Sequence, residues 1–221
     1  MEILCLLLCG LVGYLLGAIP FALVISKIFF KIDVRDYGSH NAGGTNAGRV
    51  MGKKIGLLVI ILDALKIPLV FGLNILIIKL GFGHDFSEMF YTYCQLFSAF
   101  TTVLGHSYPI YFHFKGGKAV SCTAGTIVFT NFLIAPIGLL FFFIVLKKWK
   151  MVSLGSILGS FLCVILSFIP PVAKIGMWFF IQYDIVYPLT VLMIFLVLLV
   201  RHSENIKRIK RKEESKITWL K

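Results

Sequence analysis

Long apolar segments follow one another along nearly the whole of this 221-residue chain, and they constrain its fold more than any other feature. The first runs from Ile3 to Ile25, which exceeds the roughly 20 apolar residues that a helix needs to cross a bilayer. Hydrophobic residues make up 58% of the chain and charged residues only 14%, against roughly a quarter in soluble domains. The sequence therefore predicts an all-α integral membrane protein.

Breaks in these segments predict seven transmembrane helices in a single polytopic membrane domain, residues 1–221. The stretch Ala119–Leu146 is too long for one span, and Asn131 and Pro136 mark a break, so two short helices are predicted there. The charged end of the chain, about residues 201–221, is predicted to be a cytoplasmic tail. The other five helices are predicted at Ile3–Ile25, Gly56–Leu80, Phe90–Leu104, Met151–Ile169 and Trp178–Val200.

The distribution of basic residues predicts the orientation of these helices. A net charge of +12 would point to nucleic acid in a soluble protein, but here the basic residues flank apolar spans, as the positive-inside rule describes. With the N-terminus outside, the polar loops Ser26–Lys54 and Gly105–Lys118, the turn Lys147–Lys150 and the tail all lie in the cytoplasm. In this arrangement, Lys79 and Lys174 are the only basic residues predicted outside. We therefore expect an outside N-terminus and a cytoplasmic C-terminus.

Three polar clusters are predicted to share the cytoplasmic face, and their composition suits phosphate. The loop Ser39–Arg49 is rich in glycine and amides, and its final arginine offers a bidentate fork for phosphate or carboxylate. The segment Lys115–Lys118 (KGGK) opens a helix, where anions are favoured, although a solvated basic loop explains this segment alone equally well. In the third cluster, Arg201–Arg208, a histidine and an asparagine exceed what a membrane-stop signal needs. A phosphate site at a membrane surface is the first hypothesis.

Polar residues within the predicted helices have less specific interpretations. Asp63 and Lys66 are three residues apart in the second helix, so we predict an internal structural ion pair near the cytoplasmic side. Ser153 opens the sixth helix, where a helix cap is the commoner role and a ligand contact the alternative. The five cysteines form no CxxC pair and the histidines no HExxH or HxxxH pair. We therefore expect reduced packing cysteines, no metal and no cofactor.

Taken in order, the three clusters resemble the bacterial acyl-phosphate:glycerol-3-phosphate acyltransferase family, often called the Y-type acyltransferases. The family patterns GSGNxGATNxxR, GHxxPxFxxFKGGKGVAT and RHxxNIxRLxxGxE correspond here to GSHNAGGTNAGR, GHSYPIYFHFKGGKAVSCT and RHSENIKRIKRKEE. The segments Gly17–Phe21 and Asp63–Lys66 also look like family features. The departures from these patterns are His40, Ala119 and Lys212 in place of glycines and Gly44 in place of an alanine.

The resemblance implies transfer of a fatty acyl group from acyl-phosphate to glycerol-3-phosphate. The products would be lysophosphatidic acid and phosphate, in the first acylation step of phospholipid synthesis. It also implies a bacterial plasma membrane location, an active site facing the cytoplasm, no cofactor, and an upstream enzyme that forms the acyl-phosphate. Carried over position by position, the resemblance assigns catalytic roles to Ser39, Arg49, His202 and Asn205. It assigns substrate or phosphate binding to Asn41, Thr45, Asn46, Lys115, Gly116, Gly117, Lys118 and Arg201, and a structural role to Glu214. From their positions in the predicted helices, Ser153 is added to the substrate-binding residues, and Asp63 and Lys66 keep a structural role.

Two questions stay open at the level of the sequence. A membrane transporter of a phosphorylated metabolite or lipid is the alternative from another functional class, because a basic membrane pocket serves both purposes. The chain has no convincing internal repeat and its polar clusters sit at one face, which disfavours alternating access. The acceptor of the proton released by the attacking hydroxyl is either His202 or the substrate's own phosphate.

Overall fold

The computed structural model describes residues 1–82 and 86–217, and its regular structure is helical. Within those ranges there is no β-strand, only an isolated bridge between Asn131 and Met177, so the predicted all-α class is confirmed. Short 3-10 turns lie at Val34–Asp36 and Ile110–Phe112, and a π-turn at Ile77–Gly81. The α-helices are α1 (Glu2–Gly17), α2 (Phe21–Phe29), α3 (Gly44–Val50), α4 (Lys53–Leu76), α5 (Glu88–Ser107), α6 (Val120–Thr130), α7 (Ile134–Trp149), α8 (Val152–Ser167), α9 (Pro170–Ile175), α10 (Val186–Arg201) and α11 (Ser203–Lys210).

Two segments of the described chain are long and apolar enough to cross a membrane, namely Glu2–Phe29 and Lys53–Gly81. A third is the pair α10 and α11, if two helices bent by 60° are taken as one span. Large apolar side chains such as Leu4, Leu7 and Leu11 are exposed along α1, as expected of a surface that faces lipid. The helices themselves are thus those of an integral membrane protein.

The chain divides into two compact units, of which the first is Met1–Thr126 and the second begins at Ile127. In the first unit, α1 packs along α5 through small residues. A Cβ atom on Gly17 would collide with the carbonyl group of Thr102, and one on Gly105 with the carbonyl oxygen of Tyr14. Glycine at both positions lets the two backbones approach closely, which is the usual device of helix pairs in membranes.

The first predicted span differs from the prediction because it is broken in the middle. The α1 helix ends at Gly17 and α2 begins at Phe21, since Pro20 has no N–H group to continue the hydrogen-bond ladder. The backbone between the two helices leaves carbonyl oxygens that need donors. These donors come from another helix, α4.

In the second unit, the predicted break near Asn131 is confirmed. The Asn131 side-chain oxygen accepts from the N–H groups of Leu133 (3.1 Å) and Ile134 (2.8 Å), which caps the start of α7. Its Nδ2 donates to the Ala173 carbonyl at 2.8 Å. Pro136 falls in the first turn of α7, where proline is tolerated.

The start of the last predicted helix, at Trp178, is wrong by eight residues, because α10 begins at Val186. The N–H of Val186 donates to Asp184 Oδ1 at 2.8 Å, which fixes the new start. Upstream, the backbone N–H of Trp178 donates to the Thr130 carbonyl at 3.3 Å and its ring N–H to the Val128 carbonyl at 2.8 Å. The aromatic segment is therefore held as a loop, although it is apolar enough to look helical.

Candidate anion-binding site

The first polar loop is folded around the buried side chain of Asn46. Its Nδ2 lies 2.9 Å from the Val34 carbonyl and 3.0 Å from the carbonyls of Tyr37 and Asn41. Its Oδ1 accepts the N–H of Ser39 at 2.8 Å. The Asn46 side chain therefore holds the folded loop together through both its amide nitrogen and its amide oxygen, and its predicted substrate contact stays a prediction.

This fold leaves the other predicted residues of the loop at the surface. Thr45 and Arg49 are exposed, while Ser39 and Asn41 are partly buried. Arg49 lies in the last turn of α3, a helix that packs on the start of α4 with Gly44 and Gly48 against Gly56. A cationic side chain is thus presented to solvent from a backbone that is closely packed.

An ion pair between Asp33 and Arg35 stabilises the segment that precedes this loop. Asp33 Oδ1 accepts the backbone N–H of Arg35 at 3.0 Å and its Nε at 3.0 Å, and Asp33 Oδ2 accepts Nη2 at 2.7 Å. Lys27 lies 3.4 Å from the same carboxylate. Hydrogen bonds from the Arg35 side chain are the largest of the effects that lower the pKa of Asp33 to about 2.

The KGGK segment lies directly on His106, the histidine near the end of α5. The N–H of Gly117 donates to the His106 carbonyl at 3.0 Å. A Cβ atom on Gly117 would collide with His106 Nε2, and one on Gly116 with the His106 carbonyl oxygen. The glycines thus permit close packing, and the Gly117 amide, which was expected to hold phosphate, is engaged within the protein. Lys115 is exposed and Lys118 partly so.

The ion pair expected from the spacing of Asp63 and Lys66 is present, with Lys66 Nζ 2.8 Å from Asp63 Oδ1. The sequence did not indicate its third member. His106 Nδ1 lies 3.5 Å from the same carboxylate oxygen, and all three side chains are buried. No spacing rule connects residues 63 and 106, so only the packing of α4 against α5 reveals this contact.

Lys66 also supplies the donors that the break between α1 and α2 requires. Its Nζ lies 3.0 Å from the Gly17 carbonyl and 2.5 Å from the Ile19 carbonyl. The same ammonium group stands 5.0 Å above the centroid of the Phe21 ring. The two segments noted as family features, Gly17–Phe21 and Asp63–Lys66, are therefore parts of one contact.

The two polar loops of the first unit are neighbours. Phe112, from the turn before the KGGK segment, packs against a buried cluster that contains Val34, Ala42 and Ala47 of the first loop. Lys27 Nζ stands 5.6 Å from the centroid of the Phe112 ring. The loop that carries Arg49 and the loop that carries Lys115 therefore share an apolar support.

The third cluster belongs to the second unit and is built on Glu214. Ser153 Oγ and Asn205 Nδ2 each donate to Glu214 Oε1 at 2.7 Å, and Arg208 Nε donates to Oε2 at 2.8 Å. Burial alone would raise the pKa of Glu214, but the hydrogen bonds from Ser153, Arg208 and Asn205 outweigh it and lower the pKa. The predicted structural role of Glu214 thus has a geometric basis.

His202 lies at the bend between α10 and α11, directly after Arg201. Its Nδ1 is 2.9 Å from the Leu198 carbonyl. Because a carbonyl oxygen only accepts, Nδ1 carries the proton in the neutral ring and Nε2 is the basic nitrogen. The side chain of His202 is almost fully buried. This tautomer is the one that a general base acting through Nε2 requires.

The three positions where this chain replaces a family glycine share one backbone conformation. His40, Ala119 and Lys212 have φ angles of 54°, 69° and 63°, in the left-handed region that favours glycine. His40 Nδ1 is 2.9 Å from the Arg35 carbonyl, a local hydrogen bond that offsets part of the cost. These loops therefore hold three non-glycine residues in a backbone conformation that favours glycine.

Comparison with known proteins identifies the family of this chain. The model of the family described as glycerol-3-phosphate acyltransferase matches residues 7–212. The chain belongs to the glycerol-3-phosphate acyltransferase family. The glycerol-3-phosphate acyltransferases of Staphylococcus haemolyticus (strain JCSC1435) and Staphylococcus aureus (strain Newman) are each 40% identical to it, over 213 and 212 residues. Each alignment covers 95% of this chain and 96% of the relative.

Solved structures of a glycerol-3-phosphate acyltransferase are also similar. The integral membrane enzyme PlsY (YgiH) in its glycerol 3-phosphate form matches with a TM-score of 0.79 and 31% identity, over 96% of both chains. Its lysophosphatidic acid form matches with a TM-score of 0.76 and 31% identity, over 96% of this chain and 95% of that one. The family thus accounts for the membrane fold and for an acyltransferase, and it gives no support to the transporter alternative.

Proposed function

We propose that this protein transfers a fatty acyl group from acyl-phosphate to glycerol-3-phosphate, giving lysophosphatidic acid and phosphate. Membership of the family over nearly the whole chain supports the acceptor and the product. The observation that carries the proposal is the pairing of two cationic loops in the first unit. Arg49 and Lys115 are exposed on loops that share the apolar support around Phe112. The two loops thus offer two cationic donors of the kind that bind phosphate.

The donor is an activated mixed anhydride, so the reaction needs no covalent enzyme intermediate. The acceptor hydroxyl oxygen attacks the acyl carbonyl carbon, the bond from that carbon to the phosphate oxygen breaks, and phosphate leaves with the electron pair. The hydroxyl proton passes to His202 Nε2 or to a substrate phosphate. Positioning and charge stabilisation supply the rate.

The site residues divide by task in this mechanism. Arg49, Lys115, Lys118 and Arg201 bind the two phosphates, with Gly116 closing the KGGK loop. Ser39, Asn41 and Thr45 border the first loop and contact substrate. His202 and Asn205 orient the reacting groups, and Ser153 donates to the same Glu214 oxygen as Asn205. Asn46 and Gly117 act through the loop backbone, because their hydrogen-bonding groups are engaged within the protein.

The membrane arrangement that we propose has seven spans in one polytopic domain, with an outside N-terminus. The active site and the C-terminal tail face the cytoplasm of a bacterial cell. The concentration of basic residues in the segments assigned to that side supports this orientation. Phosphorylated substrates then reach the site from water, while the acyl chain enters from the bilayer, and an upstream enzyme supplies the acyl-phosphate.

The test is phosphate release by the purified, detergent-solubilised protein given palmitoyl-phosphate and glycerol-3-phosphate, with each substrate omitted in turn. We expect release that needs both substrates and equals the lysophosphatidic acid formed. Palmitoyl-CoA in place of palmitoyl-phosphate should give no product. Arg49→Ala should abolish most of the activity, while Lys54→Ala, which removes another exposed cation near the start of α4, should not. Product formed from palmitoyl-CoA, or normal turnover by Arg49→Ala, would contradict the proposal.

A further inference from the structure

We propose that His106 is a positioning residue, whose imidazole ring packs against the KGGK loop and supports the loop in its substrate-binding conformation. This inference rests on the proposed function, because it concerns how that loop holds a substrate phosphate. His106 needs no contact with substrate for this role. It acts through Gly117 above it and through Asp63 below it.

The contact with the loop is made on two levels. The His106 backbone carbonyl accepts the N–H of Gly117 at 3.0 Å, which fixes the height of the loop above α5. The His106 ring lies beneath the same residue, so closely that a Cβ atom on Gly117 would collide with Nε2. Because the ring and Gly117 are close-packed, removing the ring takes away this support and lets the loop move.

The ring is held from below by a buried carboxylate. Asp63 Oδ1 is 3.5 Å from His106 Nδ1 and 2.8 Å from Lys66 Nζ. Lys66 divides its donors between this carboxylate and the carbonyls of Gly17 and Ile19. His106 Nδ1 therefore faces a carboxylate with almost no exposure to solvent, and this contact favours one orientation of the ring.

The support continues to the start of the next helix. Cys122 in α6, four residues after the KGGK segment, lies with its Sγ 3.3 Å from the Asp63 backbone carbonyl. A Cβ atom on Gly125 would stand 2.6 Å from the Ala64 carbonyl oxygen, so α6 approaches α4 closely. The residue beneath the KGGK segment, His106, and the helix that follows the segment, α6, thus both contact Asp63 and its neighbour Ala64 in α4. Because both contacts are made to the same part of α4, they can hold Lys115 and Lys118 at a fixed spacing.

The expected kinetic signature is a rise in KM with little change in kcat. A displaced loop weakens the hold on one phosphate, while the groups that carry the chemistry stay in place. We expect His106→Ala to raise the KM for one of the two substrates by about tenfold, which corresponds to roughly 1.4 kcal/mol of lost binding. Val103→Ala, another truncation of a buried α5 residue, is the matched control and should lower stability without this rise.

A double-mutant cycle of His106→Ala with Gly117→Ala tests this packing contact directly. In the presence of the imidazole, the added methyl group forces the loop away, so Gly117→Ala alone should raise the same KM. In the His106→Ala background the methyl group has space, so the second change should add little. Additive effects on KM would overturn the proposal, as would a His106→Ala enzyme that differs from Val103→Ala only in stability.

A third variant separates a positioning role of His106 from a merely structural one. The wild-type assay separates failure of this proposal from failure of the proposed function. His106→Asn retains a side-chain donor that reaches Asp63 in place of Nδ1, so it should restore thermal stability relative to His106→Ala while the KM stays high. If KM and stability recover together in His106→Asn, the role is structural and the proposal fails. If the wild-type protein forms no lysophosphatidic acid from either donor, the proposed function fails instead. The effect of these variants on the melting temperature still tests the Asp63 contact.

Discussion

Asn205 Nδ2 lies 2.7 Å from Glu214 Oε1, so the amide proposed to orient the reacting groups is itself held by the tail that follows α11. The same oxygen accepts from Ser153 at the start of α8, also at 2.7 Å. Because Arg208 of α11 binds the other oxygen, Glu214 ties the tail to two helices of the second unit, α8 and α11. Glu214, for which we propose a structural role alone, thus controls the position of Asn205, for which we propose a role in the reaction.

Replacing Glu214 should consequently reduce both stability and turnover. Glu214→Ala leaves three donors without their shared acceptor, and hydrogen bonds to charged groups contribute about 1.5–3 kcal/mol each. We expect a clear fall in melting temperature and in kcat, and a smaller fall for Glu214→Gln, which keeps one acceptor oxygen. Thermal unfolding and the coupled phosphate assay measure both. Glu213→Ala removes the exposed neighbouring carboxylate and should change neither. Equal effects of Glu213→Ala and Glu214→Ala would contradict this prediction.

The ion pair of Asp33 with Arg35 predicts a dependence of stability on pH. Because the pKa of Asp33 is lowered to about 2 in the folded protein, its ionised form stabilises the fold above the unfolded pKa of about 3.9. This stability is lost as the pH falls through that window. Asp33→Asn should therefore be less stable than the wild type at neutral pH, and the difference should shrink as the pH approaches about 2. Melting curves of both proteins across this range provide the measurement, and a difference that does not vary with pH would show that the carboxylate charge is irrelevant.

The left-handed residues predict that glycine restores stability at specific positions. Ala119→Gly removes a left-handed strain of about 1–2 kcal/mol but adds roughly 0.5–1 kcal/mol of unfolded-chain entropy, so we expect a small net gain. His40→Gly should gain less, because it also loses the hydrogen bond to the Arg35 carbonyl. Ala18→Gly is the matched control, since Ala18 has a φ angle of −68° and gains nothing from glycine. Equilibrium unfolding in denaturant distinguishes these cases, and stabilisation by Ala18→Gly would refute the explanation.

The cysteines predict resistance to aqueous thiol reagents. All five are buried and free, and the Sγ atoms of Cys5, Cys9 and Cys94 lie within 4.8 Å of one another in an apolar cluster with Ile78 and Phe90. A water-soluble maleimide should label the folded protein in detergent very slowly and should label all five thiols in denaturing detergent. Mass spectrometry counts the adducts. Rapid labelling of Cys94 in the folded protein would show that this cluster opens to water.

Local patterns in the sequence predicted those features whose causes are local. Asn131 caps the start of α7 through its side chain and the N–H groups two and three residues on, and Asp63 and Lys66 meet because three residues make almost one helical turn. The break at Pro20 was missed because the surrounding residues are as apolar as those of an unbroken span. The late start of α10 was missed for a similar reason, since the aromatic residues near Trp178 have the hydropathy of a membrane helix.

The candidate site shows the same limit. Motifs predicted a set of site residues, but they did not indicate which of them bond within the protein. The bonds of Asn46 to Val34 and of Gly117 to His106 depend on the packed structure. The contact of His106 with Asp63 joins residues from two helices, and no periodicity in one segment contains it.

The bond from Lys66 to the Ile19 carbonyl has a consequence for the order of assembly during synthesis. The broken backbone between α1 and α2 is costly in lipid until a donor arrives, because an unsatisfied carbonyl there has no water to bind. That donor lies 47 residues downstream, in the next long helix. The first span therefore cannot reach its final shape as an independent insertion unit, and it becomes stable only once α4 has entered the membrane beside it.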